Sequence, residues 1–338
     1  MRKFYFLFAL ILLAPTSSVY GHGLGFETIK LNVDDRKLAI TTQIIPTEFS
    51  ESPPKQISIT MIDSLTTQNV NAVLLISTYH EGNQILREHF ATTNGVLRIN
   101  VIPTTDGQIH ISGQQEQTFD AWYGTEAKPL EIVGPILNSG GLYSFEVEIK
   151  NINSKNVQNQ TFSTYITSIT DHQYNEQDKN GKDVKFNVKS YYDKISSFDY
   201  SPETNSITLN MPFDWNEQNI SHTEVVHEEV HFPKEFSDFV VPSYTGKVNG
   251  INLFKSSITV DDYSVESQRI VHFVLSQDTI RYLKQAQKDA GIDSPQDMRF
   301  VLEVGDKAVF PVIGMTRDES IQVDLSWEPE AIEPGKNT

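Results

Sequence analysis

Apolar and polar residues alternate along most of this chain with a period of two, the pattern of strands that bury one face. In the first half the alternation is clear in KLAITTQII (37–45), KQISITMI (55–62), VLRINVI (96–102) and QIHIS (108–112). It is clearest in SGGLYSFEVEI (139–149), where Tyr143, Phe145, Val147 and Ile149 point one way and Ser144, Glu146 and Glu148 the other. An apolar strand face is hidden only by another layer, so residues 22–172 are expected to form a β-sandwich of immunoglobulin-like type. HQYNEQDKNGK (172–182) has one tyrosine as its sole apolar residue and carries the turn dipeptide Asn180-Gly181, so 173–182 is expected to be a linker.

A second β-rich domain is expected over 183–328. Its strands are VKFNVKS (184–190), SITLNMPF (206–213), RIVHFVL (269–275), MRFVLEV (298–304) and SIQVDLSW (320–327). One helix interrupts them at about 277–290. Ser276 is a natural N-cap, Ile280, Leu283 and Ala286 share a face, Lys284 and Lys288 approach the C-terminal end, and Gly291 stops it. Residues 329–338 read as a polar tail. The expected class is therefore mainly β, with two sandwich-like domains and one packed helix.

The first residues read as a processing signal. Arg2 and Lys3 precede an apolar run from Phe4 to Ala14, and Val19 and Gly21 fit the −3 and −1 positions of a cleavage site. That run is well short of the roughly 20 residues a helix needs to cross a bilayer. A signal peptide over 1–21 predicts export, a mature chain starting at His22, and no stable membrane span after cleavage. The formal net charge of −17 argues against nucleic acid and anionic lipid as partners. The chain has no cysteine, so the usual disulfide staples of exported domains give way to core size.

Candidate chemistry centres on VVHEEVHFPKEF (225–236), where His227-Glu228-Glu229-Val230-His231 matches the H-E-x-x-H pattern of zinc peptidases. A zinc hydrolase would place His227 and His231 on one helical face, with Glu228 polarising the metal-bound water. Ser221 and Glu224 form a capping box that could start such a helix. Val225, Val226 and Val230 oppose it because β-branched residues disfavour helix, and Pro233 forces Phe232 out of helical geometry. No third ligand follows at peptidase spacing. The extended reading is preferred: Val226, Glu228, Val230 and Phe232 would look inward, and Val225, His227, Glu229 and His231 would form a solvated face able to take up a metal ion.

His22 offers a separate metal site. A mature N-terminal histidine can chelate copper through its α-amine and ring together, with His80, His89, His110 or His172 completing the site. His272, inside IVHFVL, reads as a packed strand residue. Asn159 and Asn219 head glycosylation sequons. The aromatic groups Trp122-Tyr123 and SYYDKISSFDY could line a ligand surface or a core. No Gly-x-Ser-x-Gly elbow, phosphate-cradling glycine loop or dinucleotide fingerprint occurs.

Several segments taken together, HGLGFET, WYG with GPILNSGGLYSFEVEI, YYDKISSFDYSPETNSITLNMPFDW and VVHEEVHFPKEF, resemble exported proteins of unknown function from ammonia-oxidising archaea. Many of those carry a C-terminal sorting or membrane anchor. The resemblance implies an extracytoplasmic or cell-surface location, a surface-layer or membrane-protein partner, and surroundings rich in copper enzymes. The polar ending WEPEAIEPGKNT departs from the anchored pattern. The expected function is that of a secreted or surface-associated, non-enzymatic binding protein, with copper binding through His22 and zinc hydrolysis as alternatives.

Overall fold

The computed structural model describes residues 24–49, 54–105, 107–292, 295–305, 312–315 and 322–325. The predicted signal peptide, His22 and the tail 329–338 lie outside the described residues. The chain is mainly β. Its first strands are β1 (Phe26–Val33), β2 (Arg36–Ile45), β3 (Lys55–Asp63), β4 (Ala72–His80), β5 (Asn83–Ala91) and β6 (Val96–Pro103). Four short strands follow: β7 (His110–Ser112), β8 (Gln114–Gln115), β9 (Trp122–Tyr123) and β10 (Glu131–Gly134). The long hairpin of β11 (Gly141–Ile152) and β12 (Lys155–Ser168) completes this unit.

These strands form two sheets, in the orders β1-β2-β3-β6-β10-β7 and β12-β11-β4-β5-β9-β8. The alternation read from sequence is what lets them close. Leu38, Ile40, Ile57, Ile59, Leu97 and Ile99 from one sheet meet Leu74, Ile76, Tyr143, Phe145 and Val147 from the other in a single buried cluster. Burying each such side chain contributes about 1.5–3 kcal/mol.

The second unit begins with β13 (Thr170–Gln177), β14 (Asp183–Ser190), β15 (Ser197–Ser201), β16 (Ser206–Pro212), the short helix α1 (Glu217–His222) and β17 (Val225–Pro233). It continues through β18 (Tyr244–Val248), β19 (Ile251–Asn252), β20 (Ile258–Asp261), β21 (Gln268–Ser276), helix α2 (Gln277–Asp289) and β22 (Asp297–Val304). Its sheets run β13-β14-β17-β21-β20 and β15-β16-β22-β18-β19. Between them Phe186, Val230, Phe232 and Phe273 pack with Leu209, Met211, Phe300 and Leu302. Helix α2 follows the expectation: the Ser276 side chain accepts from the Thr279 amide, and Ile280 and Leu283 are buried. The backbone segments β23 (Val312–Met315) and β24 (Gln322–Leu325) pair with each other as a separate two-stranded sheet.

The expected linker is corrected. Residues 170–177 are strand β13, paired along its length with β14, and 178–182 form the turn of that hairpin. Asp178 Oδ1 accepts from the amides of Asn180 (2.8 Å) and Lys182 (2.9 Å), which closes the turn locally. Only Ile169 separates β12 from β13. The units also meet through side chains. Asp193 Oδ1 accepts the Leu142 amide at 3.0 Å, Lys194 pairs with Glu81 at 3.1 Å, Lys189 with Glu48 at 3.2 Å, and His222 Nδ1 lies 2.9 Å from Glu27 Oε1. Among the described residues no helix is long and apolar enough to cross a membrane.

Candidate metal centre

The segment around the twin histidines is extended. Helix α1 ends before it starts: Asn216 caps that helix by accepting the Asn219 amide (2.7 Å), and Thr223 closes its far end. The capping box expected at Ser221 and Glu224 is not formed, because Ser221 sits in the last turn of α1 and donates its hydroxyl to Gln218 O. From Val225 the β-branched residues continue as β17, held between β14 and β21 by antiparallel pairing on both sides. The helical H-E-x-x-H geometry is therefore overturned.

One face of β17 carries Val226, Glu228, Val230 and Phe232 into the core, as the alternation predicts. Glu228 is fully buried there. It accepts a hydrogen bond from Ser190 Oγ (2.9 Å), while its Oε2 has no partner. It points away from the imidazoles and has no access to a metal held by them. The opposite face corrects a second expectation, since it is largely covered rather than solvated: the side chains of Glu229 and His231 are 11% and 9% exposed, and that of His227 28%.

Strand register explains what meets on this covered face. Asp171, Lys189, Glu229, His272 and Thr259 form one cross-strand row over β13, β14, β17, β21 and β20. His227, two residues from Glu229 on the same face, lies diagonal to His272, a relation within reach of long side chains. The result is a triangle. His227 Nε2 lies 3.0 Å from His272 Nδ1, and Glu229 Oε1 lies 3.6 Å from the first and 3.5 Å from the second. A tetrahedral ion with bonds of about 2.0–2.2 Å has ligand–ligand edges of about 3.3–3.6 Å. His227, Glu229 and His272 could thus hold a metal ion on three ligands, leaving a further position for water or a partner.

The carboxylate is fixed from two sides. Tyr191 donates its hydroxyl to Glu229 Oε1 (3.0 Å), and His231 Nε2 lies 2.8 Å from Oε2. The Tyr191 ring also stacks on His227, with centroids 4.5 Å apart and planes at 7°. Such outer contacts orient metal ligands and tune their basicity. Burial pushes the Glu229 carboxyl up, but the hydrogen bonds from His231 and Tyr191 and the neighbouring imidazoles outweigh it and hold it below the ordinary range. Burial holds the His227 imidazole below its usual value; the charge of Glu229 opposes this and that of His272 adds to it. A carboxylate that stays ionised beside an imidazole that stays neutral is the protonation state a metal ion needs.

Of the residues singled out from sequence, the fold places His227 in this triangle and His231 behind it, against the far oxygen of Glu229. His272, read from sequence as a packed strand residue, is the third corner. His22 lies outside the described residues, and its proposed partners His80, His89, His110 and His172 sit on four different strands. His80 stacks on Tyr143 and its ring nitrogens lie 3.2 Å from Leu142 O and 3.1 Å from Ser139 Oγ. Asn159 lies on β12. Asn219 is buried in α1 and its amide donates to Asp214 O (2.8 Å) and Tyr192 Oη (3.1 Å), so a glycan on this nitrogen is incompatible with the packing. Of the tyrosine-rich stretch, Tyr192 is core and Tyr191 donates to Glu229 of the candidate metal centre. No family model matches this chain, and no curated protein or solved structure shows significant similarity to it.

Proposed function

We propose that this chain is an exported, non-enzymatic binding protein that takes up a divalent transition-metal ion through His227 Nε2, Glu229 Oε1 and His272 Nδ1. The observation that carries the reading is the triangle of ligand atoms, with edges of 3.0, 3.5 and 3.6 Å, contributed by two adjacent strands. Imidazole and carboxylate donors suit Cu(II) and Zn(II), and of the two a site of this type holds Cu(II) more tightly. The leader-like N-terminus and the acidic composition support action outside the cytoplasm. The resemblance to archaeal surface proteins supports a surface-layer or membrane protein as the partner that receives or supplies the ion. Binding rather than turnover is favoured because the cavities of about 710 and 810 Å³ are lined by other groups.

The test is titration of the exported, mature protein with Cu(II) and with Zn(II), followed by calorimetry and metal analysis, alongside His272→Ala and Glu229→Gln. Each substitution is expected to remove tight binding of one equivalent. A form extended by one residue before His22 separates this centre from N-terminal chelation, since only the latter needs a free α-amine. Unchanged affinity in both His272→Ala and Glu229→Gln would eliminate the proposed centre.

A further inference from the structure

A cleft of about 810 Å³ lies between the two units, on the far side of β11 from the first core. Its floor is set by register: Tyr79 on β4 and Tyr165 on β12 are both cross-strand partners of Ser144 on β11, so all three project from the same outer face of the sheet. Adjacent strands lie about 4.8 Å apart, which places the two phenol-bearing residues about 10 Å apart with the small serine between them. The second unit supplies apolar wall through Ile195 and Pro212.

The charge of this lining is unbalanced. It holds three carboxylates, Glu81, Asp193 and Asp214, against the single ammonium of Lys194, which pairs with Glu81 at 3.1 Å. Asp193 Oδ1 accepts the amides of Leu142 (3.0 Å) and Lys194 (2.7 Å), while its Oδ2 has no partner among the described residues. Asp214 accepts from the uncharged Asn216, through the amide (2.9 Å) and the side chain. His80 turns its ring nitrogens toward Leu142 O (3.2 Å) and Ser139 Oγ (3.1 Å) rather than toward a carboxylate. Burial pushes the Asp193 carboxyl above its ordinary range; the two amides and His80 work against the rise, and Glu81 adds to it. Burial and then the charges of Glu27, Glu146 and Asp214 push the Tyr165 phenol up as well, so the negative field extends across the floor.

The three carboxylates do not converge on one point. Among the described residues, the one trio of His or acidic side chains close enough to share an ion is the triangle on β17 and β21. The excess charge therefore calls for a polyatomic cation. Its two uncompensated carboxylates stand on separate loops, after β14 and after β16, and so call for a cation charged at both ends. Aromatic ring faces attract ammonium groups and also cover methylene surface. A peptide strand would need an open sheet edge for backbone pairing, and β4 and β11 are each paired on both sides. Clefts of this size, apolar with a few polar groups, are the usual seats of small organic ligands.

We infer that this interdomain cleft binds a linear aliphatic diamine, with one ammonium at Asp193 Oδ2, the other at Asp214, and the methylene chain against the aromatic floor. Both amines of such a molecule are protonated near neutral pH, so its charge equals the excess of the lining. The site is independent of the metal centre, because none of its lining residues belongs to the triangle.

The test is calorimetric titration of the mature protein near pH 7 in low salt, after stripping with EDTA and removal of the chelator. The probes are putrescine, cadaverine and 1,6-diaminohexane, with butylamine, 1,4-butanediol and Mg(II) as comparators. At least one diamine is expected to bind at one equivalent and more tightly than every comparator. Asp193→Asn and Asp214→Asn keep the Oδ1 acceptor of the backbone amides and remove the charge. Each is expected to weaken binding about tenfold, equivalent to about 1.4 kcal/mol. Glu203→Gln, which neutralises an exposed carboxylate on the turn between β15 and β16, is expected to leave it unchanged. Circular dichroism confirms that each variant is folded. Absence of binding to all three diamines, equal or tighter binding of any comparator, affinity untouched by both aspartate substitutions, or an equal loss in Glu203→Gln would overturn the inference.

Discussion

Replacing Glu228 by glutamine isolates the cost of a carboxyl in the second core. Burial pushes this group well above the ordinary glutamate range; the hydrogen bond from Ser190 works against that rise, and the nearby Asp193 and Glu229 add to it. Above the usual glutamate pKa of about 4.3 the unfolded chain has lost this proton while the folded chain keeps it. Stability from this source is fully present below that value and is lost as pH rises toward the folded pKa, with a limiting slope of about 1.4 kcal/mol per pH unit. Glutamine has nearly the same shape and does not titrate. Ser190 Oγ can go on donating to Oε1, and where Oε2 has no partner the single O–H of the protonated carboxyl is replaced by the two N–H donors of an amide, one unsatisfied donor more. Leaving such a donor unsatisfied costs about 1–3 kcal/mol, and that cost is the same at every pH. The variant is therefore expected to be less stable than the parent near pH 4 and to recover relative to it by about 1 kcal/mol for each pH unit above about 5. Urea denaturation followed by tryptophan fluorescence, with EDTA present, measures the difference. Parallel stability–pH curves for the two proteins would refute the reasoning.

Three further outcomes follow from the same geometry. Tyr191→Phe keeps the ring over His227 but removes the hydrogen bond to Glu229 Oε1, so metal affinity should fall about 10-fold or more with the fold intact; calorimetry with Zn(II) checks it, and an unchanged constant would remove Tyr191 from the centre. Phe232→Ala opens the aromatic cluster formed with Phe186, Phe236, Phe239 and Tyr244, and should cost about 3–5 kcal/mol in chemical denaturation. Gly95→Ala places a Cβ 2.8 Å from Met61 O at a residue with φ of +72°, and should lower stability by at least about 1–2 kcal/mol.

The strands were legible wherever one face is buried and the other is not. In β11 the burial of Tyr143, Phe145, Val147 and Ile149 follows the written alternation. Strand β13 was not legible because it is a sheet edge whose side chains are mostly polar; its place is fixed by backbone pairing with β14, which leaves no hydrophobic signature. Half of the candidate metal centre could be read locally, since His-x-Glu on a strand puts both groups on one side. The other half could not, because it depends on which residue of β21 faces Glu229. That register links residues 43 apart in sequence (229 and 272) and is set by the packing of the whole sheet. The covering of the histidine face escaped for a related reason: the Tyr191 ring that shields it comes from the end of a neighbouring strand.

Ile169 is the single residue of chain between β12 and β13, and its amide donates to Thr47 O (2.8 Å) while the Gly25 amide donates to Thr167 O (3.0 Å). A long flexible tether would behave as an entropic spring and would offer a protease an extended stretch to seize. Here neither swing nor cleavage can begin without first parting backbone hydrogen bonds. Tension on the first half is therefore delivered directly to the strands that carry Lys189 and Glu229, which makes the crossing a mechanical coupler rather than a hinge.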